Sequence, residues 1–460
     1  MKKILAIVMM SLMMVSVAAC GEKEEAPAPE TPGAETPADN SGDKVEEKTL
    51  KIAGLDGGYE TEHWKKLAEK FEGSHEGVTV ELTFEKNIEE VLRPQIQAQD
   101  VPDLIYLGVG RPDMMTETLV KEKAVMDLSG LLAMTVPGED VTVGEKIIPG
   151  FTDTLITNPY GDGKTFLAPI FYGPTGLFYN ADNFGDGKYE MPTTFEEMFA
   201  LGEKAKADKS ALFTYPTTGY FDAFFYALAT EVGGAEFFNK AMNYDVETWK
   251  SDDMKKVFEL VGELVSFNHV DTVAQANNEG FTKNQQLVLD NNALFIPNGT
   301  WLPGEMEEAP RADGFEWGFT ALPAVEDGGD RYSYTFFEQM YIPNGAAEAD
   351  LAMEFMAYMY SDEAAKIIYD NSGAVMPITT SSELMSDDDA NKLFYSVYDD
   401  GAKAAMGGFL AAPAVEGVDL VSGNGILFGT INSVATKDKT VEQWHTEVVE
   451  AVEKISAVME

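Results

Sequence analysis

The chain has 460 residues, 45% hydrophobic and 24% charged, enough apolar mass for a large core and two or three domains. Seventy-eight acidic residues stand against 33 basic ones, for a formal charge of -45, and such a surface repels nucleic acid and anionic lipid headgroups. The single cysteine, Cys20, rules out an intrachain disulfide.

The N-terminus opens with Lys2-Lys3, an apolar run over residues 4–17, and then Val17-Ala-Ala-Cys-Gly21. A positive start, a short apolar stretch and small residues before a cleavage point make residues 1–19 a secretory signal. The apolar run is too short to span a bilayer comfortably. Val-Ala-Ala-Cys resembles the lipobox of bacterial lipoproteins. That likeness implies cleavage before Cys20 and lipidation of Cys20, leaving the lipid as the only membrane attachment. Residues 20–48 are rich in Glu, Pro, Ala and Thr, carry no aromatic residue, and read as a disordered tether.

Order is expected from Thr49. A short alternating strand (49–53) leads to the turn Asp56-Gly-Gly58, then to a helix with Trp64, Leu67, Ala68 and Phe71 on one face. A strand over 78–84, a helix over 88–99 and a strand over 102–107 complete a β-α-β-α-β unit, which implies parallel pairing. Ligands bind such sheets at the carboxyl ends of strands, here residues 56–59 and 108–111. Residues 164–172 and 176–180 read as two successive strands. Thr193 opens a capped helix, 210–215 is a strand, and an aromatic-rich helix begins near Gly219. Long helical stretches follow over 252–268 and 348–371. The C-terminal helix shows a capping box (Thr440, Gln443) and a stripe of Val441, Trp444, Val448, Val452 and Ile455.

Between these lies Leu287-Val-Leu-Asp-Asn-Asn-Ala-Leu-Phe-Ile-Pro-Asn-Gly-Thr-Trp301, a buried-strand pattern that breaks at Pro297-Asn-Gly299, a turn signal. Trp301 is then either a helix-start core residue or a platform for a ligand, and spacing alone leaves both open.

Several chemistries find no support. Gly161-Asp-Gly-Lys-Thr165 lacks the first glycine of a phosphate loop and precedes a strand. Gly108-Val-Gly-Arg111 lacks the third glycine of a dinucleotide loop. The four histidines, His63, His75, His269 and His445, have no metal-ligand spacing, so neither a metal nor a cofactor is expected. What stands out is aromatic density near glycine and proline: Tyr59, Tyr106, Phe171, Tyr172, Tyr220, Phe221, Trp301, Tyr334, Phe336 and Phe337. Ring faces with a few carboxylates and amides suit a sugar, whose C–H faces stack and whose hydroxyls need donors and acceptors.

These motifs carry a family likeness. Asp56-Gly-Gly-Tyr59 before the Trp64 helix, Pro102-Asp-Leu-Ile105, Asp162-Gly-Lys-Thr-Phe-Leu-Ala-Pro169, Leu177-Phe-Tyr-Asn180, Pro192-Thr-Thr-Phe-Glu-Glu197, Asn292-Ala-Leu-Phe-Ile-Pro-Asn-Gly-Thr-Trp301 and Ser361-Asp-Glu-Ala-Ala-Lys366 occur in the order found in one group. The chain resembles the extracellular solute-binding proteins of carbohydrate ABC transporters, family 1, the group that includes maltose-binding protein. The resemblance implies an α/β, two-lobed periplasmic-binding-protein-like fold of type II, each lobe a mainly parallel sheet flanked by helices. Lobe 1 would be 49–171 plus 324–375, and lobe 2 would be 172–323 plus 376–460. It further implies a non-catalytic monomer that closes on a carbohydrate and passes it to a permease powered by a separate ATPase. By position Asp56 resembles the family's early-loop carboxylate, Tyr220 its stacking tyrosine, Trp301 its stacking tryptophan, and Arg111 the arginine after the third strand. Tyr59, Tyr172, Phe337 and Glu338 are further candidate contacts. Gly57 stands where maltose-binding protein has lysine, and Gly173 where it has glutamate. Its late tryptophan is absent, and Asn424 lies near that position. The expected ligand is therefore a sugar other than maltose, with amino sugars such as N-acetylglucosamine or its disaccharide the nearest match of the 108–112 and 212–220 tracts. The alternatives are a secreted glycoside-active enzyme and a lipoprotein for non-sugar ligands.

Overall fold

The computed structural model describes residues 47–459 apart from 112, 186–187, 218–219, 277–280 and 411. The signal segment, Cys20 and nearly all of the tether lie outside the described residues.

Among the described residues nine strands form one mixed sheet: β1 Lys48–Leu55, β2 Val78–Glu85, β3 Leu104–Tyr106, β4 Ala168–Asn180, β5 Ala211–Phe213, β6 Ala293–Gly299, β7 Trp317–Thr320, β8 Tyr332–Tyr341 and β9 Lys403–Ala405. The order is β2-β1-β3-β8-β4-β6-β5, with β7 also on β4 and β9 also on β8. Pairing is parallel in β1–β2, β1–β3, β5–β6 and β8–β9. It is antiparallel wherever β4 or β8 meets β3, β6, β7 or each other. The expected parallel units therefore form the two ends of the sheet, and two long antiparallel strands join them.

Helical periodicity was the strongest guide. Glu62–Ser74 buries Trp64, Leu67, Ala68 and Phe71, an i, i+3, i+4, i+7 face laid on the first end of the sheet. Phe195–Ala207 is capped by Thr194, one residue after the expected Thr193: the Glu197 amide donates to Thr194 Oγ1, and the Glu197 carboxylate accepts from Thr193. Phe221–Met242 is almost wholly apolar and buried up to Thr230, and it kinks at Gly234, whose φ of 80° a side chain would resist. Val441–Met459 is capped by Thr440 and Gln443 and buries Trp444, Val448, Val452 and Ile455. Each such fully buried side chain stabilises the fold by roughly 1.5–3 kcal/mol.

Three expectations are corrected. The two strands expected over 164–172 and 176–180 are one, β4, running through Gly173 and Pro174. The ladder survives the proline because side chains support it: Thr175 Oγ1 donates to the Tyr334 carbonyl, and Ser333 Oγ donates to the Thr175 carbonyl. The turn expected at Pro297-Asn-Gly299 is the end of β6, held by pairing of Pro297, Asn298 and Gly299 with β4. The helix expected over 348–371 is two, Ala349–Met359 and Asp362–Ser372, because Ser361 caps the second.

β4 carries a bulge at Phe171, where the register against β8 slips between Ile170 and Tyr172. Phe171 sits at φ 41°, uncommon for a residue with a side chain. Its ring is enclosed by Tyr59, His63 and Tyr106 at centroid distances of 5.3, 5.4 and 5.4 Å, which holds the bulge in place. Two large cores flank the joining strands. One is built around Trp64, Phe71, Ile170 and Phe355. The other is built around Phe195, Phe225, Trp249, Phe258 and Trp444. Residues 376–397 contribute Met376, Ile378, Met385, Phe394 and Tyr395 to the first of these cores.

Candidate functional site

Side chains alternate along a strand, so Tyr334, Phe336 and Glu338 of β8 share one face. Each meets a different neighbourhood. Tyr334 donates its hydroxyl to the Gly407 carbonyl at 2.7 Å and packs on Tyr226 at 5.4 Å. Phe336, 40% exposed, is the one aromatic among the exposed large apolar side chains of the described residues. Glu338 accepts a hydrogen bond from the Tyr106 hydroxyl.

Phe336 continues an aromatic surface. Its ring lies 6.0 Å from Trp301, which lies 5.6 Å from Tyr220, which lies 6.2 Å from Phe281. β6 delivers Trp301: the strand ends at Gly299, and the indole packs against that glycine so closely that a β-carbon there would stand 2.1 Å from Cη2. The short helix Leu302–Glu305 then turns the chain and places Glu305 beside Tyr220. The Tyr220 hydroxyl donates to Glu305 Oε1 at 3.0 Å, and Gln285 Nε2 donates to Glu305 Oε2 at 2.7 Å. Burial, and after it the Glu305 carboxylate, pushes the Tyr220 hydroxyl up to about 12. Both Gln285 and Asn298 are buried, and Gln285 Oε1 and Asn298 Nδ2 have no hydrogen-bond partner among the described residues.

At the other end of the surface, burial raises the pKa of Glu338 against the opposing pull of the Tyr106 hydrogen bond and of Arg111. Tyr59, packed on Phe171, is pushed up to about 12 by burial and then by Glu338. Arg111 is held by Glu89, with Nε donating to Oε1 and Nη2 donating to Oε2 at 3.2 Å, and that carboxylate is only 2% exposed. Asp56 is half-buried at the carboxyl end of β1, its amide donating to the Glu85 carbonyl at 3.1 Å.

The structure thus joins Tyr220 to Trp301, and joins Glu338 electrostatically to Tyr59 and Arg111. Phe337 and Tyr172 lie elsewhere. Phe337 points to the opposite face of β8 and packs on Phe151 at 5.7 Å. Tyr172 is buried in the first core between Phe151 and Tyr395, at 5.3 and 5.1 Å. Asn424 is an exposed loop residue whose amide donates to Ser422 Oγ at 3.3 Å. Phe336, part of the aromatic set but not among the candidate contacts, lines this surface together with Glu305 and Gln285, which the sequence reading does not name. The period of two on β8 was the available signal for Phe336, since Phe337 and Glu338 cannot share a face. Nothing local marks Glu305 or Gln285.

A recess of about 200 Å3 opens beside the start of β8, with Gly150, Thr154, Thr230, Phe238, Tyr332 and Met406 in its wall, and it contains none of the residues of the aromatic surface. No group of three or more His, Cys, Asp or Glu among the described residues could hold a metal ion.

A family model described as bacterial extracellular solute-binding protein matches residues 66–394. Among characterised relatives, the multiple sugar-binding protein of Streptococcus mutans is 24% identical over 68% of this chain and 71% of its own. The diacetylchitobiose binding protein NgcE of Streptomyces coelicolor is 24% identical over 64% of this chain and 61% of its own. The galactooligosaccharide-binding protein of Bacillus subtilis is 24% identical over 81% of this chain and 80% of its own. Among solved structures, the apo form of RafE from Streptococcus pneumoniae aligns with TM-score 0.62 at 18% identity, over 89% of this chain and 98% of that one. A family 1 extracellular solute-binding protein from Bifidobacterium longum subsp. infantis aligns with TM-score 0.64 at 15% identity, over 88% and 99%. These structures establish the fold, two α/β lobes of the type II periplasmic-binding-protein-like class. The relatives are binding proteins rather than enzymes. The family match covers well over half of the sequence, and the chain belongs to the bacterial extracellular solute-binding proteins.

Proposed function

We propose that this protein is a lipid-anchored extracytoplasmic receptor that captures a mono- or oligosaccharide between its lobes and hands it to an ABC-type permease. The observation that carries the reading is the aromatic surface Phe336–Trp301–Tyr220, exposed at Phe336 and flanked by the carboxylates Glu305 and Glu338. Ring faces take the C–H faces of a sugar, and carboxylates accept its hydroxyls. The relatives that bind sugars by name support the same class, and the diacetylchitobiose binder among them makes amino sugars the first to test. Lobe 1 (49–171 and 324–375) and lobe 2 (172–323 and 376–460) would close as a hinge, with the ligand favouring the closed population. Cys20 would anchor the mature chain as a monomer on the outer face of the cell membrane.

A thermal-shift panel of mono- and disaccharides, including N-acetylglucosamine and its disaccharide, tests the proposal. A true ligand at one hundred times its Kd stabilises the folded state by about 2.7 kcal/mol and raises the melting temperature. A panel in which no saccharide moves the transition would sink the reading.

A further inference from the structure

We infer that this site sorts saccharides by charge, admitting neutral or amine-bearing sugars and rejecting those that carry a carboxylate. The inference rests on the sugar reading above and adds a ligand class to it.

The protein's own donors are already committed to the carboxylates. Tyr220 and Gln285 donate to Glu305, and Tyr106 donates to Glu338. A carboxyl group has about four acceptor positions, so both retain acceptor capacity for a ligand hydroxyl or ammonium beyond the hydrogen bonds they already take. Arg111, the cation that acts on Glu338, is occupied. The Nε and Nη2 edge of Arg111 is engaged by the buried Glu89, and a guanidinium recognises a carboxylate best through such a two-point edge.

A separate observation points to a hydroxyl-bearing ligand. Gln285, which holds Glu305, has an unpartnered acceptor oxygen. Asn298, which precedes the glycine under Trp301, has an unpartnered donor nitrogen. Gln285 is 0% and Asn298 2% exposed, and a buried polar atom left without a partner is costly. A hydroxyl supplies both a donor and an acceptor, whereas a carboxylate supplies acceptors alone.

The test is isothermal titration of the whole soluble protein with matched sugars in the gluco and galacto series: the neutral disaccharide, its 2-amino counterpart and its C6-carboxylate counterpart. The neutral or amino sugar is expected to bind at least about tenfold more tightly than the acid, a gap of about 1.4 kcal/mol. In Glu305→Gln/Glu338→Gln the gap should fall below about threefold at unchanged ionic strength. Equal binding of the acid by the native protein overturns the charge inference and leaves the sugar reading standing. A gap that persists in the double variant but vanishes in high salt assigns the rejection to the overall charge of the chain, and overturns it too. If no sugar of any charge binds, the sugar reading fails and this inference with it.

Discussion

The indole of Trp301 occupies the space that a side chain at Gly299 would need, with Cη2 2.1 Å from where a β-carbon would stand. The glycine is thus part of the platform. Gly299 is absent from the residues with positive φ, so alanine there strains no backbone and acts through the ring alone. We expect Gly299→Ala to displace Trp301 and weaken sugar binding by about tenfold or more, with an overpacking cost of roughly 1–3 kcal/mol in stability. Unchanged affinity, measured by titration calorimetry, would mean that the indole does not touch ligand.

Trp301→Ala removes the platform outright. We expect a loss of about 2 kcal/mol or more in binding, with little change in the melting temperature of the ligand-free protein. A collapse of stability in that variant would show that the ring serves the core instead.

Phe336 and Phe337 are neighbours in sequence on opposite faces of β8, so the two alanine variants should separate. Phe336→Ala should weaken binding by about 1–2 kcal/mol and leave stability within about 0.5 kcal/mol. Phe337→Ala, which removes a ring packed on Phe151, should lower stability by about 2–3 kcal/mol. Denaturant titration alongside calorimetry reads both, and the reverse pattern would turn the β8 face over.

The buried His63 and the half-buried Glu231, whose carboxylate oxygens are enclosed, give stability a pH dependence of opposite sign. Burial raises Glu231 to about 8, and the backbone of Val325 and Tyr332 and the Arg331 guanidinium lie nearby without closing a hydrogen bond to it. Between the ordinary carboxylate value and pH 8 the unfolded chain has lost this proton and the folded chain keeps it. Stability therefore falls as pH rises through that window, by at most about 1.4 kcal/mol per pH unit, and levels off above it. His63 is fully buried, with both ring nitrogens unpartnered, and burial lowers it to about 4. Below pH 6.5 the unfolded chain takes up a proton that the folded chain refuses, so stability falls as pH drops from there to about 4. Melting temperatures against pH should show the advantage of Glu231→Gln over the native protein growing from pH 5 to 8. His63→Phe should soften the acid limb between 6.5 and 4. Curves parallel to the native one would remove these assignments.

Cys20→Ala should abolish lipid attachment. Metabolic labelling with a fatty acid, followed by fractionation, checks this, and a variant that still carries lipid would disprove the anchor.

The elements most legible in the sequence were those whose signal is local. Trp64 to Phe71 and Trp444 to Ile455 repeat with helical period, and Thr440 and Gln443 mark a helix start three residues apart. β4 reads as two strands from the sequence, and what joins them is pairing with β8 and β6 together with side-chain hydrogen bonds to and from β8, 158 and 159 residues away. The site shows the same divide. Spacing alone leaves Trp301 open, and the family likeness is what pairs it with Tyr220 as a stacking candidate; the two rings do meet. Tyr172, an equally plausible aromatic beside a glycine, is buried by Phe151 and Tyr395, which approach from distant parts of the chain. Glu305 owes its place to Tyr220, 85 residues earlier, and no pattern in either segment announces the pair.

The route of β8 also bears on how the chain folds. β3 finds its second partner in β8, where Ile105 pairs with Tyr341 and Tyr106 with Met340. The first end of the sheet cannot close until the chain has been synthesised past residue 341. Loop closure over such a distance adds little to the equilibrium cost, since that cost grows only logarithmically with length. Its effect falls on the rate, because long-range pairing delays folding. Until β8 arrives, β3 keeps an unpaired edge of the kind that invites aggregation. A nascent or truncated form ending before Tyr332 therefore keeps that edge open for as long as β8 is missing.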